Sequence, residues 1–257
     1  MNQKHSLIST IGATNQINSW IGRPFLPSDI SDLLLWFESI DYLSQDSSNI
    51  VNCWVNRKID YSAIQSIVAD QGLLVSNGLG TKDVLRFDGS NDHYDLPNSA
   101  LPTGYFTILI ACKKTANNSA AFILGRAYNL GAIYIQIMAD NHVTNPGALR
   151  LVVEGISLYS ANSVSGSWNL FTLKGASTGM SIRINGSADN SNANNNPVLN
   201  YSALDRATIG VFKDTSNNIA TPFVGDIACI YSYNRALAAE EITLVENYIK
   251  TIYPSLP

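Results

Sequence analysis

The 257-residue chain reads as all-β: two antiparallel sheets packed as a sandwich, with one short C-terminal helix. Three observations predict this. In residues 223–253 the apolar spacing changes once, from every second residue to every third and fourth. Through the middle of the chain, apolar runs of strand length alternate with turns bearing Asn, Gly and Pro. Charged residues make up only 14%, against ~25% in an ordinary globular domain, so Asn, Ser and Gly carry a surface suited to turns.

A sandwich of this length is commonly a single domain. The expected division is an extended arm over 1–28 and one sandwich over 29–257. The arm is aperiodic and broken by Gly12, Gly22, Pro24 and Pro27, yet holds Ile8, Ile11, Ile17, Trp20, Ile21 and Phe25. Those apolar side chains favour a segment that orders on a partner over a solvated leader. Ile11, Ile17, Trp20, Ile21 and Phe25 are its expected partner-binding residues.

The sandwich opens at 33–37, where Leu33, Leu35 and Phe37 oppose Leu34 and Trp36, giving a strand apolar on both faces. Next come Val51 and Trp54 before a polar turn, then candidate strands at 65–69 and 73–76. Strand 84–88 turns at Asp88-Gly89-Ser90-Asn91 and returns over 93–96. Further strands are expected at 105–113, 121–126, 132–139, 149–154, 156–159, 168–173, 180–185 and 207–212, with a loop over 187–200. In the last strand, period two puts Phe223, Gly225, Ile227, Cys229, Tyr231 and Tyr233 on one face. The closing helix follows from Ile242, Val245, Ile249 and Ile252. Glu240 and Glu241 in its first turn and Lys250 in its last suit its dipole, and Pro254 stops it. Phe87, Ile108, Trp168, Ile182, Ile227 and Cys229 are the expected core.

Leu35-Trp36, then Val51 and Trp54, then Phe87-Asp88-Gly89 with Asp92 and Tyr94, resemble in that order the opening motifs of the LamG-like jelly-roll domains. These belong to the concanavalin A-like lectin/glucanase superfamily. Ser181–Gly186 (SIRING) and the strand-turn-helix ending are similar to the same family, so the resemblance covers about 30–253. Two departures stand out: Val55-Asn56-Arg57-Lys58 replaces the family's x-Asp-x-Ser-Gly after Trp54, and Ala238 stands where Ser or Thr usually caps the last helix. The resemblance implies a jelly roll acting as a binding or structural module. The arm, a first segment without a signal-peptide h-region, and an Asn/Ser-rich surface resemble virion-associated proteins of tailed bacteriophages. The expectation is a virion location, with other virion proteins held by the arm and host glycans as targets. An extracellular or cytoplasmic soluble lectin and a diverged glycoside hydrolase are the alternatives, and homo-oligomerisation stays open.

Chemistry is sparse. The family's β-glucan hydrolases carry Glu-x-Asp-x-x-Glu on one strand, supplying nucleophile and acid. Here Glu38, Glu154, Glu240, Glu241 and Glu246 are the five glutamates, and none has that spacing. His5, His93 and His142 lie in the arm and in expected loops, and no G-x-S-x-G motif occurs. No catalysis and no cofactor are expected. A net charge of −4 without a basic cluster argues against nucleic acid, and no apolar run is long enough to span a bilayer.

The densest oxygen cluster is Asp88, Asn91, Asp92 and Asp95, read either as turn structure or as a calcium loop. Tyr134 and Gln136 share one strand face, and Arg150 and Glu154 another. If those strands are neighbours, the four form a polar, aromatic sugar-binding surface; otherwise they are an ordinary solvated face. The three cysteines are expected as buried thiols, a Cys112–Cys229 disulfide being open if their strands adjoin.

Overall fold

The structure is a computed structural model describing residues 23–45, 48–58, 61–115, 120–127, 134–137, 146–193, 197 and 206–257. Its first half holds β1 (Leu33–Glu38), β2 (Tyr42–Gln45), β3 (Ile50–Val55), β4 (Ser62–Ile64), β5 (Leu73–Leu79), β6 (Lys82–Asp88), β7 (Tyr94–Leu96), β8 (Phe106–Lys114) and β9 (Ala121–Ala127). Then follow β10 (Tyr134–Ile137), β11 (Ala148–Val153), β12 (Ile156–Ser163), β13 (Asn169–Ala176), β14 (Gly179–Ile184) and β15 (Ser187–Asn192). The chain ends with β16 (Arg206–Ile209), β17 (Phe212–Lys213), β18 (Ile219–Ala220), β19 (Val224–Tyr233) and α1 (Ala239–Ile252).

Two antiparallel layers result. One, the helix-side sheet, runs β5–β6–β19–β8–β13–β14–β15, with β1 pairing along β19 beyond the end of β6. The other, the open sheet, runs β4–β7–β16–β9–β10–β11–β12. β3 links the layers at one edge, pairing with β4 and, at Ile50, with Leu73 of β5. Between the layers lies the main core, including Phe37, Trp54, Phe87, Tyr94, Phe106, Ile108, Leu151, Phe171, Ile182 and Ile227. On the outer face of the helix-side sheet a second core joins Trp36, Leu109, Cys229, Tyr231 and Tyr233 to Ile242, Val245 and Ile249 of α1. The predicted helix stripe is therefore the face that docks.

One residue separates the two cores along β19. Ile227 pairs with Cys112 and Cys229 with Ala111, so Ala228 has no ladder partner. This β-bulge reverses the phase of everything after it. Phe223, Ile227 and Ile230 enter the sandwich, while Cys229, Tyr231 and Tyr233 face α1, which corrects the single face expected from period two. The Ala228 carbonyl left over by the bulge accepts from the Ser39 N–H at 2.8 Å and from the Tyr253 hydroxyl at 2.7 Å.

Other corrections are local. Trp168 precedes β13 and is only partly buried, with the Lys113 ammonium 5.6 Å from its ring centroid; the other five expected core residues are buried. The strand expected at 65–69 lies earlier, at Ser62–Ile64, and Val68–Asp70 form a 3₁₀ turn. Residues 187–192, expected as loop, form the edge strand β15 against β14. An edge strand of Ser, Ala, Asp and Asn shows no apolar alternation because most of it faces water. Strand 207–212 is interrupted at Gly210, whose φ of +94° a side chain rarely adopts.

Candidate functional site

The glutamates are placed by partners, not by a cleft. Glu38 is wholly buried; its carboxylate accepts from Trp36 Nε1 at 2.8 Å, the Tyr231 hydroxyl at 2.5 Å and Arg57 at 2.5 Å. Glu246 of α1 accepts from the Thr172 hydroxyl at 2.7 Å and from the Arg183 guanidinium through both oxygens. Glu241 accepts two bonds from Arg235 and one from the Ala238 N–H, the half of a capping box that the third helical residue supplies. Glu240 is exposed on α1. Glu154 is exposed in the two-residue turn joining β11 to β12, with φ of +49° followed by Gly155 at +79°. Sequence phasing put Glu154 on the face of Arg150; the turn takes it off the strand, as the Glu-Gly pair of a type I′ hairpin requires.

Sequence patterning also hid Asp226. Expected on the mixed face of its strand, it is fully buried, gripped by Arg86 at 2.7 and 3.1 Å, with Lys113 3.6 Å away. Arg86 lies opposite Asp226 in the β6–β19 register, a cross-strand relation that no local pattern reveals.

Of the four residues expected to form a polar surface, the structure places Arg150 on the outer face of the open sheet. Leu149, Leu151 and Val153 of β11 and Leu158 of β12 enter the main core, so Arg150, Ser157 and Tyr159 face outward. Arg150 donates from Nε at 3.0 Å and from an Nη at 2.8 Å to the Ser157 hydroxyl. Its guanidinium carbon lies 5.6 Å from the centroid of the Tyr159 ring, directly across the ladder. On the other side of β11, Gln136 pairs in register with Arg150, and Tyr134 with Val152. The condition set by the sequence is met: β10 and β11 are neighbours, and Gln136, Arg150 and Tyr159 stand in one row. The side chains of Tyr134 and Gln136 lie outside the described residues. Ser157 and Tyr159 were missed, because β12 alternates weakly and its value lies in what it faces.

The oxygen cluster at 88–95 is occupied by the turn itself. Asp88 Oδ1 accepts from the Ser90 N–H at 2.7 Å, and Asp92 Oδ2 from the Asp88 N–H at 2.8 Å. The Asn91 amide donates to Asp70, and Asp95 is paired with Lys213 at 2.8 Å. Among the described residues no group of three acidic, Cys or His side chains is arranged to hold a metal. Burial, with Asp88 and Asp70 nearby, pushes the Asp92 carboxyl up to about 7.

Of the expected arm residues, Ile11, Ile17, Trp20 and Ile21 lie outside the described residues. Phe25 is described, and its ring packs edge-on to Tyr248 of α1 at 6.2 Å. The Tyr233 hydroxyl donates to the Pro27 carbonyl at 3.1 Å. Cys112 and Cys229 are unbridged although β8 and β19 adjoin. Cys112 faces the main core opposite Ile227, while the bulge turns Cys229 toward α1, and burial pushes both thiols up, away from reactivity.

A protein-family model described as the concanavalin A-like lectin/glucanases superfamily (Laminin_G_3) matches residues 88–243. No curated protein matches the sequence. Among solved structures, domain 4 of AbnA, a GH43 extracellular arabinanase from Geobacillus stearothermophilus seen with arabinotriose, is similar at 16% identity and TM-score 0.56. That match covers 82% of this chain and 97% of the other. The Trypanosoma rangeli sialidase, in complex with sialic acid, is similar at 15% identity and TM-score 0.59 over 89% of this chain, but only 36% of the sialidase is covered. The CBM40 of the Ruminococcus gnavus IT-sialidase, bound to α2,3-sialyllactose, is similar at 18% identity and TM-score 0.51, covering 64% of this chain and 96% of that one. At these identities the likeness is one of fold. With the family model matched over more than half its length and a two-sheet jelly roll around that match, the chain belongs to the concanavalin A-like lectin/glucanase superfamily.

Proposed function

We propose that the protein is a non-catalytic carbohydrate-recognition module whose ligand lies on the outer face of β10–β12. The observation that carries this reading is the Arg150–Ser157–Tyr159 cluster on the outer face. A guanidinium held by a hydroxyl and set over an aromatic ring offers directional donors beside an apolar surface, the combination that sugar hydroxyls and C–H faces need. Support comes also from relatives of the same fold, whose structures hold arabinotriose and sialyllactose. Non-catalytic is part of the proposal: Glu38, Glu241 and Glu246 are each committed to an arginine. The virion setting expected from residues 1–28 belongs here as well, with the module holding a particle to a host surface glycan.

The test is a glycan array followed by calorimetry on the hit. Arg150→Ala and Tyr159→Ala are expected to weaken binding at least tenfold each while leaving the melting temperature within a few degrees. Binding untouched by both would refute the site. Release of reducing sugar from the hit, abolished by replacing one acidic residue, would refute the non-catalytic reading.

A further inference from the structure

On the other side of the molecule, a half-open groove of about 300 Å³ lies between the start of α1 and the outer face of β13–β15. Its floor and far wall are Ser181, Ala188, Asn190 and Ser191, and α1 contributes Ala239 and Ile242. Register explains the gap: Lys174, Ser181 and Ser191 stand in one row across three strands, and small side chains in two of three positions leave α1 unsupported there.

Three charged residues line the groove. Arg183 is neutralised by Glu246, which takes its Nε at 3.1 Å and an Nη at 3.2 Å. Asp189 has one carboxylate oxygen bound by the Ala161 N–H at 2.7 Å. Lys174 differs. Its ammonium donates to the Leu237 carbonyl at 3.2 Å, and no ion pair found among the described residues includes it. A half-buried ammonium tethered by one neutral carbonyl has two further donors to offer, and in a groove of lowered dielectric its attraction for an anion exceeds that of a lysine in open water.

The geometry points to this groove as a binding site for an acidic sugar unit, its carboxylate on Lys174 and its hydroxyls on Ser181 and Ser191, which stand in the Lys174 row; the Asn190 amide is already given to the Tyr159 carbonyl at 2.8 Å. The volume is at the lower end for small-molecule sites, which suits one ring. Ala188, Ala239 and Ile242 give the ring's C–H edge an apolar contact. A charge-assisted bond from Lys174 separates a uronic acid from the neutral sugar of the same shape. The site stands whether or not the Arg150 face binds sugar, and the variants below tell the two apart.

The experiment is calorimetric or NMR titration of the full chain with methyl glucuronide, with methyl glucoside and inorganic phosphate as comparisons. The glucuronide is expected to bind at least tenfold more tightly than either. Lys174→Met and Ala188→Trp, the second filling the groove without touching Lys174, are each expected to weaken it at least tenfold; Lys174→Arg and Arg150→Ala are expected to retain it. The inference is overturned if the glucoside binds as well as the glucuronide, if phosphate binds as well as either, or if Lys174→Met and Ala188→Trp bind like the parent. Loss on Arg150→Ala with retention in Lys174→Met would assign the ligand to the other face and equally overturn it.

Discussion

Replacing Glu38 by Gln is expected to destabilise the fold by about 2–4 kcal/mol. The carboxylate has no solvent exposure and is held by Trp36, Tyr231 and Arg57 at 2.5–2.8 Å. Hydrogen bonds to a charged group contribute ~1.5–3 kcal/mol each, and neutral ones about half that. The amide oxygen can keep Trp36 and Tyr231 as neutral bonds, a loss of about 1.5–3 kcal/mol over the two. The amide nitrogen then faces the Arg57 guanidinium, donor against donor. Arg57 is 36% exposed, so water absorbs much of that conflict and it adds roughly another 0.5–1 kcal/mol. At ~2–4 °C per kcal/mol for a chain near this size, the melting temperature should fall by roughly 5–15 °C. Urea unfolding followed by tryptophan fluorescence measures it well, because Trp36 and Trp54 both hydrogen-bond Glu38. Adding Arg57→Met to Glu38→Gln should recover part of the loss. A Glu38→Gln protein within 0.5 kcal/mol of the parent would refute the reasoning, since a buried, triply bound carboxylate cannot be exchanged for an amide at no cost.

Three further outcomes are expected. Asp92 is held protonated up to about pH 7 in the fold but ionises near pH 4 once unfolded, so it costs stability increasingly as pH rises through that window. Asp92→Asn, which keeps an acceptor for the Asp88 N–H, should match the parent at pH 4 and exceed it by about 2–4 kcal/mol at pH 8; urea midpoints across pH decide. Gly210→Ala should cost about 2–4 kcal/mol in chemical unfolding, because at φ +94° a Cβ would stand 2.6 Å from the Phe87 ring and 2.7 Å from the Asp92 carbonyl. Deleting residues 1–22 should leave the melting temperature unchanged, as an arm serving an external partner implies. Deletion through residue 28 should lower it measurably by removing the Phe25–Tyr248 contact and the Tyr233–Pro27 bond.

The sequence made visible what is written locally. The α1 stripe of Ile242, Val245 and Ile249 and the apolar runs of β8 and β13 read correctly, because each depends on neighbours within a few residues. Long-range pairing was hidden. Asp226 read only as one residue of a mixed strand face until Arg86, 140 positions away, lay across the ladder. β15 was hidden because its pairing is carried by backbone alone. In the candidate site, Arg150 was legible from the alternation of β11, whereas Tyr159 and Ser157 acquire meaning only from the β11–β12 register. The Lys174 groove had no local signature, since three strands and a helix meet there.

The bulge at Ala228 also bears on how the molecule comes apart. Because one strand changes allegiance between its two halves, the helical layer and the sandwich share a structural member; they are not stacked as separable leaves. The carbonyl released at that point is bound both by the chain just past the first strand, at Ser39, and by the residue that ends the last helix, at Tyr253. The beginning and the end of the domain are thus fastened at a single peptide group. Peeling the C-terminal helix away would strip Cys229, Tyr231 and Tyr233 of their cover and loosen the very strand that anchors Ile227 and Ile230 inside. The slowest-exchanging amides of the helix and those at the centre of the sandwich should therefore be released in one concerted opening rather than in two.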